Sequence, residues 1–328
     1  MATSRFRTET ANLREAIIQQ KCTTIHPSVK WRFEEEANRY IKEQRTGGHP
    51  SFGEITFEEV YALFGQMDIK DSSTIRNQAV QADLSKQINA VKEILEQARQ
   101  HTKAEKYDRM VSRLDGFEKS IMKGMLGGSE QKLLGFINSK VCPLFEQLKT
   151  AHPDLAMLIN QYREMLHPEL NMVYEMRQQF DESSQRINDM LATHLDKAQE
   201  EAQKIFPHYY ERFKTDGVDH NIYIGDSLAQ LKNYDRSALH RLRFWQLTVM
   251  CEMERKFRLL QKDLSISLEV ASLILVYPTP LAIHFRMDEK KFDVKGAYNA
   301  RYQIVKKRVE KAHIKGTSER ITTPGKIA

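Results

Sequence analysis

A long run of helix-forming sequence, from about Ser72 to Phe206, constrains the fold of this chain more than any other feature. Within it, His167-Pro168-Glu169-Leu170 predicts a helix start, because proline is tolerated at the first helical position and an acidic residue in the first turn favours the helix dipole. Pro207 ends the pattern, so the sequence predicts one helix of roughly 38 residues over 168–206, far beyond the usual length of about 8–20. Its apolar residues recur at steps of three and four, the spacing of one helix face: Val173, Met176, Phe180, Ile187, Leu191, Leu195, Ala198, Ala202 and Ile205.

Other apolar stripes precede this helix. One lies beyond Asp71, Ser72 and Ser73, which all suit an N-cap; an anion site at that helix N-terminus is the alternative interpretation. A helix as long as 168–206 needs a partner along its length, from its own chain or from a second copy. We therefore predict a helical-bundle or coiled-coil-like region over 71–206. The stripes are Val80, Leu84, Ile88, Val91, Leu95 and Ala98, followed by Met110, Leu114, Phe117 and Ile121.

The first 70 residues are predicted to form an N-terminal helical region with a loop. A helix begins near Pro27 and runs to Ile41, with Trp31 and Phe33 on its apolar side. The composition of 46–51 is that of a loop, with two glycines and a proline. The following stretch, 55–64, is compatible with either a strand or a helix.

The pattern changes after Pro207, and 207–328 is predicted to be a small α/β module. An amphipathic helix over 239–260 places Leu242, Trp245, Val249 and Met253 on one face. The segment 271–277 is β-branched and nearly all apolar, and 281–287 alternates apolar and polar residues, so both are expected to be strands. The predicted fold class is therefore mainly α, a long-helix bundle followed by a small α/β C-terminal module.

The composition of the chain indicates in which cellular compartment it is expected. No apolar run approaches the length of a membrane span, and the polar N-terminus lacks the apolar segment of a signal peptide. The three cysteines, Cys22, Cys142 and Cys251, are odd in number and far apart, which is neither a disulfide framework nor a CxxC motif. We expect a cytoplasmic protein.

Positive charge is concentrated near the C-terminal end of the chain. The net charge is +6, and from Arg286 onward there are twelve Lys or Arg residues against five acids. Gly296 precedes a predicted basic helix whose free N–H groups suit an anion. The candidate ligand-binding residues are Lys290, Lys291, Lys295, Gly296 and Arg301. The alternatives are a solvated basic face and binding of nucleic acid through the basic helix, which we do not favour.

Residue constellations that perform chemistry are sparse in this sequence. It contains no P-loop, GxGxxG, HExxH, GxSxG or EF-hand loop. Four histidines precede proline and are interpreted as marking turns and helix starts. His284, with Asp288, Glu289 and Asp293 downstream, is a candidate general-base or metal group, although solvated carboxylates are the more common case. We therefore predict no catalytic residue, no metal site and no cofactor.

Seven segments of the sequence share one resemblance: Phe285–Val294 (FRMDEKKFDV), Gly296–Tyr302 (GAYNARY), Gly316–Thr322 (GTSERIT), Pro324–Ile327 (PGKI), Leu242–Leu247 (LRFWQL), His26–Trp31 (HPSVKW) and Gly65–Ile69 (GQMDI). They resemble a block found in large bacterial GAF-domain-containing proteins. The resemblance implies cytosolic signalling or regulation, with the ligand-binding GAF module ahead of this region; no GAF module is evident in the chain itself. Because the pattern of a further strand stops at Ala328, the chain is expected to be a fragment of a longer protein, truncated at its C-terminal end.

The function predicted from the sequence is that of a non-enzymatic regulatory and interaction protein that self-associates through long helices as a homodimer. The alternative is a C-terminal module that binds, or acts on, an anionic small molecule or nucleotide.

Overall fold

The computed structural model describes residues 11–19, 25–101, 104–124, 128–229, 234–296 and 312–328. These residues form two compact units. The first consists of the described parts of Met1–Lys70, Arg186–Asp263 and Leu268–Ala328, and the second of Asp71–Gln185 with Leu264–Ser267. Arg301, from the predicted anion site, lies outside the described residues.

The first unit is built on a six-stranded antiparallel sheet. Its central strand is β1 (Thr56–Ile69), and the others are β2 (Tyr209–Lys214), β3 (Gly217–Ile224), β4 (Val270–Val276), β5 (Leu281–Arg286) and β6 (Lys291–Val294). β3 pairs with one edge of β1 and β2 lies outside it. On the other edge, β4 pairs with the second half of β1 and β5 with its first half. β6 pairs with β5.

An irregularity in β1 separates its two halves. The register with β5 shifts between Phe57 and Val60, and Glu59 adopts a positive φ of 56°. Such a bulge bends a strand and increases its twist. Pro278 and Pro280 lie between β4 and β5, where proline suits a break between strands because it has no N–H to donate. One 14-residue strand therefore serves two successive partners along the same edge.

Helices cover both faces of this sheet. Residues 11–19 (α1) and α2 (Pro27–Arg45) pack on one face, where Phe33 meets Phe285 and Phe292 in edge-to-face contacts. Helix α9 (Arg236–Leu260) and the later part of α8 (Glu175–Ile205) pack on the other face. Ala62 and Leu63 are adjacent in β1 and belong to the two different cores, as strand alternation requires.

The second unit is helical. Its members are α3 (Ser72–His101), α4 (Glu105–Met122), α5 (Ser129–Phe136), α6 (Cys142–Ala151), α7 (Pro153–Glu164) and the start of α8. A π-helical turn, Ile137–Val141, joins α5 to α6 just ahead of Pro143. The predicted α3 and α4 stripes enter one core, which contains Leu84, Ile88, Val91, Leu95, Leu114 and Ile121.

The predicted fold class, a long-helix bundle followed by a small α/β module, is wrong. The protein is a mixed α/β structure, because the segment left open as strand or helix is the central strand β1. Its partners lie about 150 to 220 residues further along the chain. The pattern of neighbouring residues does not show which distant segment a strand pairs with, because the hydrogen bonds of a strand are made to another segment.

The long helix also begins later than predicted. Residues 168–174 form turns, with Asn171 at a positive φ of 54°, and α8 starts at Glu175. Among the described residues, no helix is both long enough and apolar enough to cross a bilayer.

Candidate interaction surface

Helix α9 has a buried inner face that fixes its position on the sheet. Asp235 caps it, accepting a hydrogen bond from the backbone N–H of Ser237 at 3.2 Å. The inner face lies against β1, β3 and β4 and consists of Leu239, Leu242, Gln246, Val249, Met250, Met253 and Phe257.

A buried polar pair fixes the register of α9 on the sheet. His220 of β3 is fully buried, and its Nε2 lies 3.1 Å from Nε2 of Gln246. Burial lowers the pKa of His220 to about 4, so the ring is neutral in the folded protein at neutral pH. The His220 ring packs directly against the backbone of Gly65 in β1. A side chain at that position would clash, because a Cβ on Gly65 would lie 2.2 Å from Cε1 of His220.

The outer face of α9 exposes large apolar side chains. Phe244 is 73% exposed, Leu247 45% and Leu259 68%, while Cys251 between them is half-buried. These four residues, which we call the outer stripe, follow each other at steps of three, four and eight along one side of the helix. The exposed Arg255 lies on the same side, four residues from both Cys251 and Leu259, and interrupts the stripe. Exposed apolar side chains grouped on one face are found at interaction sites of soluble proteins.

A shallow groove adjoins the amino-terminal half of the outer stripe. Its volume is about 560 Å³, and its wall is almost entirely apolar. Trp245 lies in this wall and is half-buried. The lining residues are Ile205 from the end of α8, with His240, Arg241, Phe244, Trp245 and Thr248 from α9.

Opposite charges distinguish the two helices beside the groove. α9 contains six Lys or Arg residues and two acids, whereas α8 contains seven acids and four Lys or Arg residues. His194 Nε2 of α8 lies 3.0 Å from Oε2 of Glu252 of α9, which links the two helices. In the part of α8 that belongs to this unit, from Arg186 on, there are four acids and three Lys or Arg residues, so α9 is the more basic of the two helices.

The predicted anion-binding residues lie at and after the β5–β6 turn. Lys290 occupies the turn with a φ of 53°. Gly296 has a φ of +85°, and a Cβ built on it would meet no described atom within 4 Å. Lys291 pairs with Glu289 at 2.5 Å, and Lys295 pairs with Glu54 at 3.3 Å. Two of the predicted cations thus already have carboxylate partners, and the site stays a prediction.

The carboxylates downstream of His284 pair with an arginine. Arg286 contacts Asp288 at 2.7 Å, Glu289 at 2.5 Å and Asp293 at 3.6 Å. The hydrogen bond from Arg286 lowers the pKa of Asp288. These contacts make the acids a charge cluster at a hairpin turn.

Reasoning from the sequence missed the outer stripe. Its signal was present, because Phe244, Leu247 and Leu259 are apolar but fall outside the Leu242/Val249/Met253 face.

Comparison with protein-family models, with curated proteins and with solved structures gives no match.

Proposed function

We propose that this protein is a non-enzymatic regulatory and interaction protein of the cytoplasm that acts as a homodimer. In the dimer, the outer stripe of α9 of each copy packs against α8 of the other copy. The sequence resemblance to GAF-domain-containing proteins supports a place in bacterial signalling. The observation on which the proposal rests is the exposed outer stripe beside an apolar groove.

Burial of this surface would supply the driving force. Removing apolar surface from water contributes about 25 cal/mol per Å², and a phenylalanine as exposed as Phe244 has much of its side chain still to bury. Aromatic residues in apolar pockets are typical anchors of protein interfaces. The groove beside Phe244 offers such a pocket to a side chain from the other copy.

Charge complementarity favours a second copy of this chain as the molecule that covers the outer stripe. A two-fold dimer is isologous, so a contact of α9 with the partner's α8 occurs twice. Each occurrence brings the arginine-rich α9 against α8, which has three more acids than Lys or Arg residues over its whole length. Attraction between the helices would guide the encounter, and apolar burial would hold the complex together.

The mass of the protein in solution tests this proposal. We expect wild-type protein to be dimeric by light scattering and sedimentation, and Phe244→Asp to be monomeric with an unchanged circular dichroism spectrum. Leu259→Glu should weaken the dimer in the same way. Met157→Glu, which places a charge at an exposed apolar residue of α7, is the matched control and should remain dimeric. Wild-type protein that is monomeric at every accessible concentration contradicts the proposal.

Salt provides an independent measurement. Because part of the attraction is between exposed charges, the dimer dissociation constant should rise between about 0.05 and 0.5 M salt. An anion-binding module without self-association would instead show salt-dependent binding of a phosphate-bearing ligand to a monomer.

A further inference from the structure

Three side chains with metal-ligating atoms meet in the helical unit. His101 lies in the last turn of α3, His152 immediately precedes α7, and Asp154 is in the first turn of α7. One ligand atom from each lies within 4.8 Å of the others. His101 and Asp154 are 53 residues apart in the sequence, so the packing of α3 and α7 brings them together.

The geometry is that of a site whose donors already face each other. His101 Nε2 lies 2.7 Å from Oδ2 of Asp154. The rings of His101 and His152 are stacked, with centroids 4.6 Å apart and planes inclined by 28°. A metal bound at about 2.0–2.1 Å to each donor would turn the two rings so that their nitrogens converge. His101 and Asp154 are exposed and can adjust around the half-buried His152.

Among the described contacts, the imidazole of His152 has only its stacking on the ring of His101. Its backbone is at the N-cap of α7, but its side chain makes no capping hydrogen bond. In the part of the chain that the structure describes, neither of its ring nitrogens has a hydrogen-bond partner. The expectation that this His-Pro pair marks a helix start accounts for its backbone and leaves the imidazole unexplained.

We propose that His101, His152 and Asp154 form a binding site for a divalent transition metal of the Zn²⁺ class. Two imidazoles and one carboxylate suit such ions, whereas Mg²⁺ and Ca²⁺ favour sites made of oxygen ligands. Three protein ligands leave a fourth position for water. The bound ion would link the end of α3 to the start of α7.

Calorimetric titration of the full chain with Zn²⁺ is the first test. We expect one site, with affinity that weakens in acid, because the ring nitrogens must be unprotonated to bind. His101→Gln, His152→Gln and Asp154→Asn should each weaken binding at least tenfold. His49→Gln is the control, since His49 is an exposed histidine before proline in another loop, and it should bind as the wild type does.

Co²⁺ as a probe distinguishes this site from scattered surface histidines. Bound at the three residues, Co²⁺ should give visible absorption bands that Zn²⁺ abolishes and that His152→Gln lacks. Thermal unfolding without metal checks that the variants fold. The proposal is overturned if wild-type protein binds no Zn²⁺ below millimolar concentration, or if all three variants, once shown to be folded, bind it as the wild type does.

Discussion

Asp83 of α3 caps the start of α8 at Arg177. Its Oδ2 accepts hydrogen bonds from the backbone N–H and from Nε of Arg177, both at 3.0 Å, and its Oδ1 accepts one from the backbone N–H of Met176 at 2.8 Å. Both charged side chains are buried, and Arg177 also contacts Glu130 at 2.6 Å. A residue more than ninety positions away thus fixes where the long helix begins.

Asp83→Ala is expected to destabilise the protein strongly. Removing Asp83 leaves Arg177 with Glu130 as its remaining carboxylate partner, and it takes the acceptor away from two backbone N–H groups at the start of α8. Breaking a buried ion pair costs about 3–5 kcal/mol of the free energy of unfolding, and because Glu130 remains we expect the lower end of that range. Urea unfolding followed by circular dichroism measures the change. Glu93→Ala removes an exposed acid from the same helix and should change stability by less than about 0.5 kcal/mol. Equal effects of the two variants would show that the Asp83 cap contributes nothing.

Gly65→Ala should also destabilise, for a steric reason. The added Cβ would lie 2.2 Å from Cε1 and 2.6 Å from Nε2 of the buried His220 ring. Relieving that clash requires backbone or ring shifts that cost about 1–3 kcal/mol. In the His220→Ala background the same change should cost much less, and the double-mutant cycle measures the coupling.

Gly116→Ala is the matched control for that substitution. Gly116 lies inside α4, and a Cβ there would meet none of the described atoms within 4 Å. Alanine has the higher helix propensity, so this variant should gain up to about 1 kcal/mol. Loss of stability in both variants would mean that the Gly65 effect is not specific to His220.

Acid should weaken the fold through two buried histidines. Burial lowers the pKa of His220 and of His208 to about 4, from 6.5 when unfolded. Between these pH values the unfolded chain binds more protons than the folded protein does. The free energy of unfolding is therefore highest above about pH 6.5 and decreases as pH falls to about 4. The loss amounts to about 3 kcal/mol for each histidine.

Unfolding free energies measured from pH 7 to pH 4 test this dependence. His220→Gln should reduce the loss of unfolding free energy between pH 7 and pH 4 by the amount that one histidine contributes. His49→Gln, at an exposed residue, should leave the profile of the wild type. A wild-type stability that stays constant over this range contradicts the prediction.

Trp245→Ala should have an intermediate effect. The sequence placed Trp245 on the buried face of its helix, where truncation costs about 3–5 kcal/mol, but the ring is half-buried at the groove wall. We expect about 2 kcal/mol, measured by urea unfolding at a protein concentration low enough to give monomers. A loss of more than about 4 kcal/mol in the free energy of unfolding would mean that the ring is fully buried. A loss below about 0.5 kcal/mol would mean that it lies on the surface.

Local patterns located several elements well. The stripes from Leu84 to Leu95 and from Leu114 to Ile121 are buried in helices. The segment 271–277 overlaps β4, and 281–287 contains β5. These predictions succeeded because helix and strand periodicity are properties of adjacent residues. The cations at Lys290, Lys291 and Lys295 were visible too, but their carboxylate partners were not all evident, since Glu54 lies far away in the sequence.

The sequence by itself determined where most helices lie and which of their faces are apolar, because each pattern repeats within a few residues. Only the tertiary structure decided the role of β1, the start of α8 at Glu175 and the meeting of His101 with Asp154. Each of these depends on a contact between segments far apart in the chain. The energies of such contacts come from pairing and burial against a distant partner, and that partner is absent from any local window of sequence.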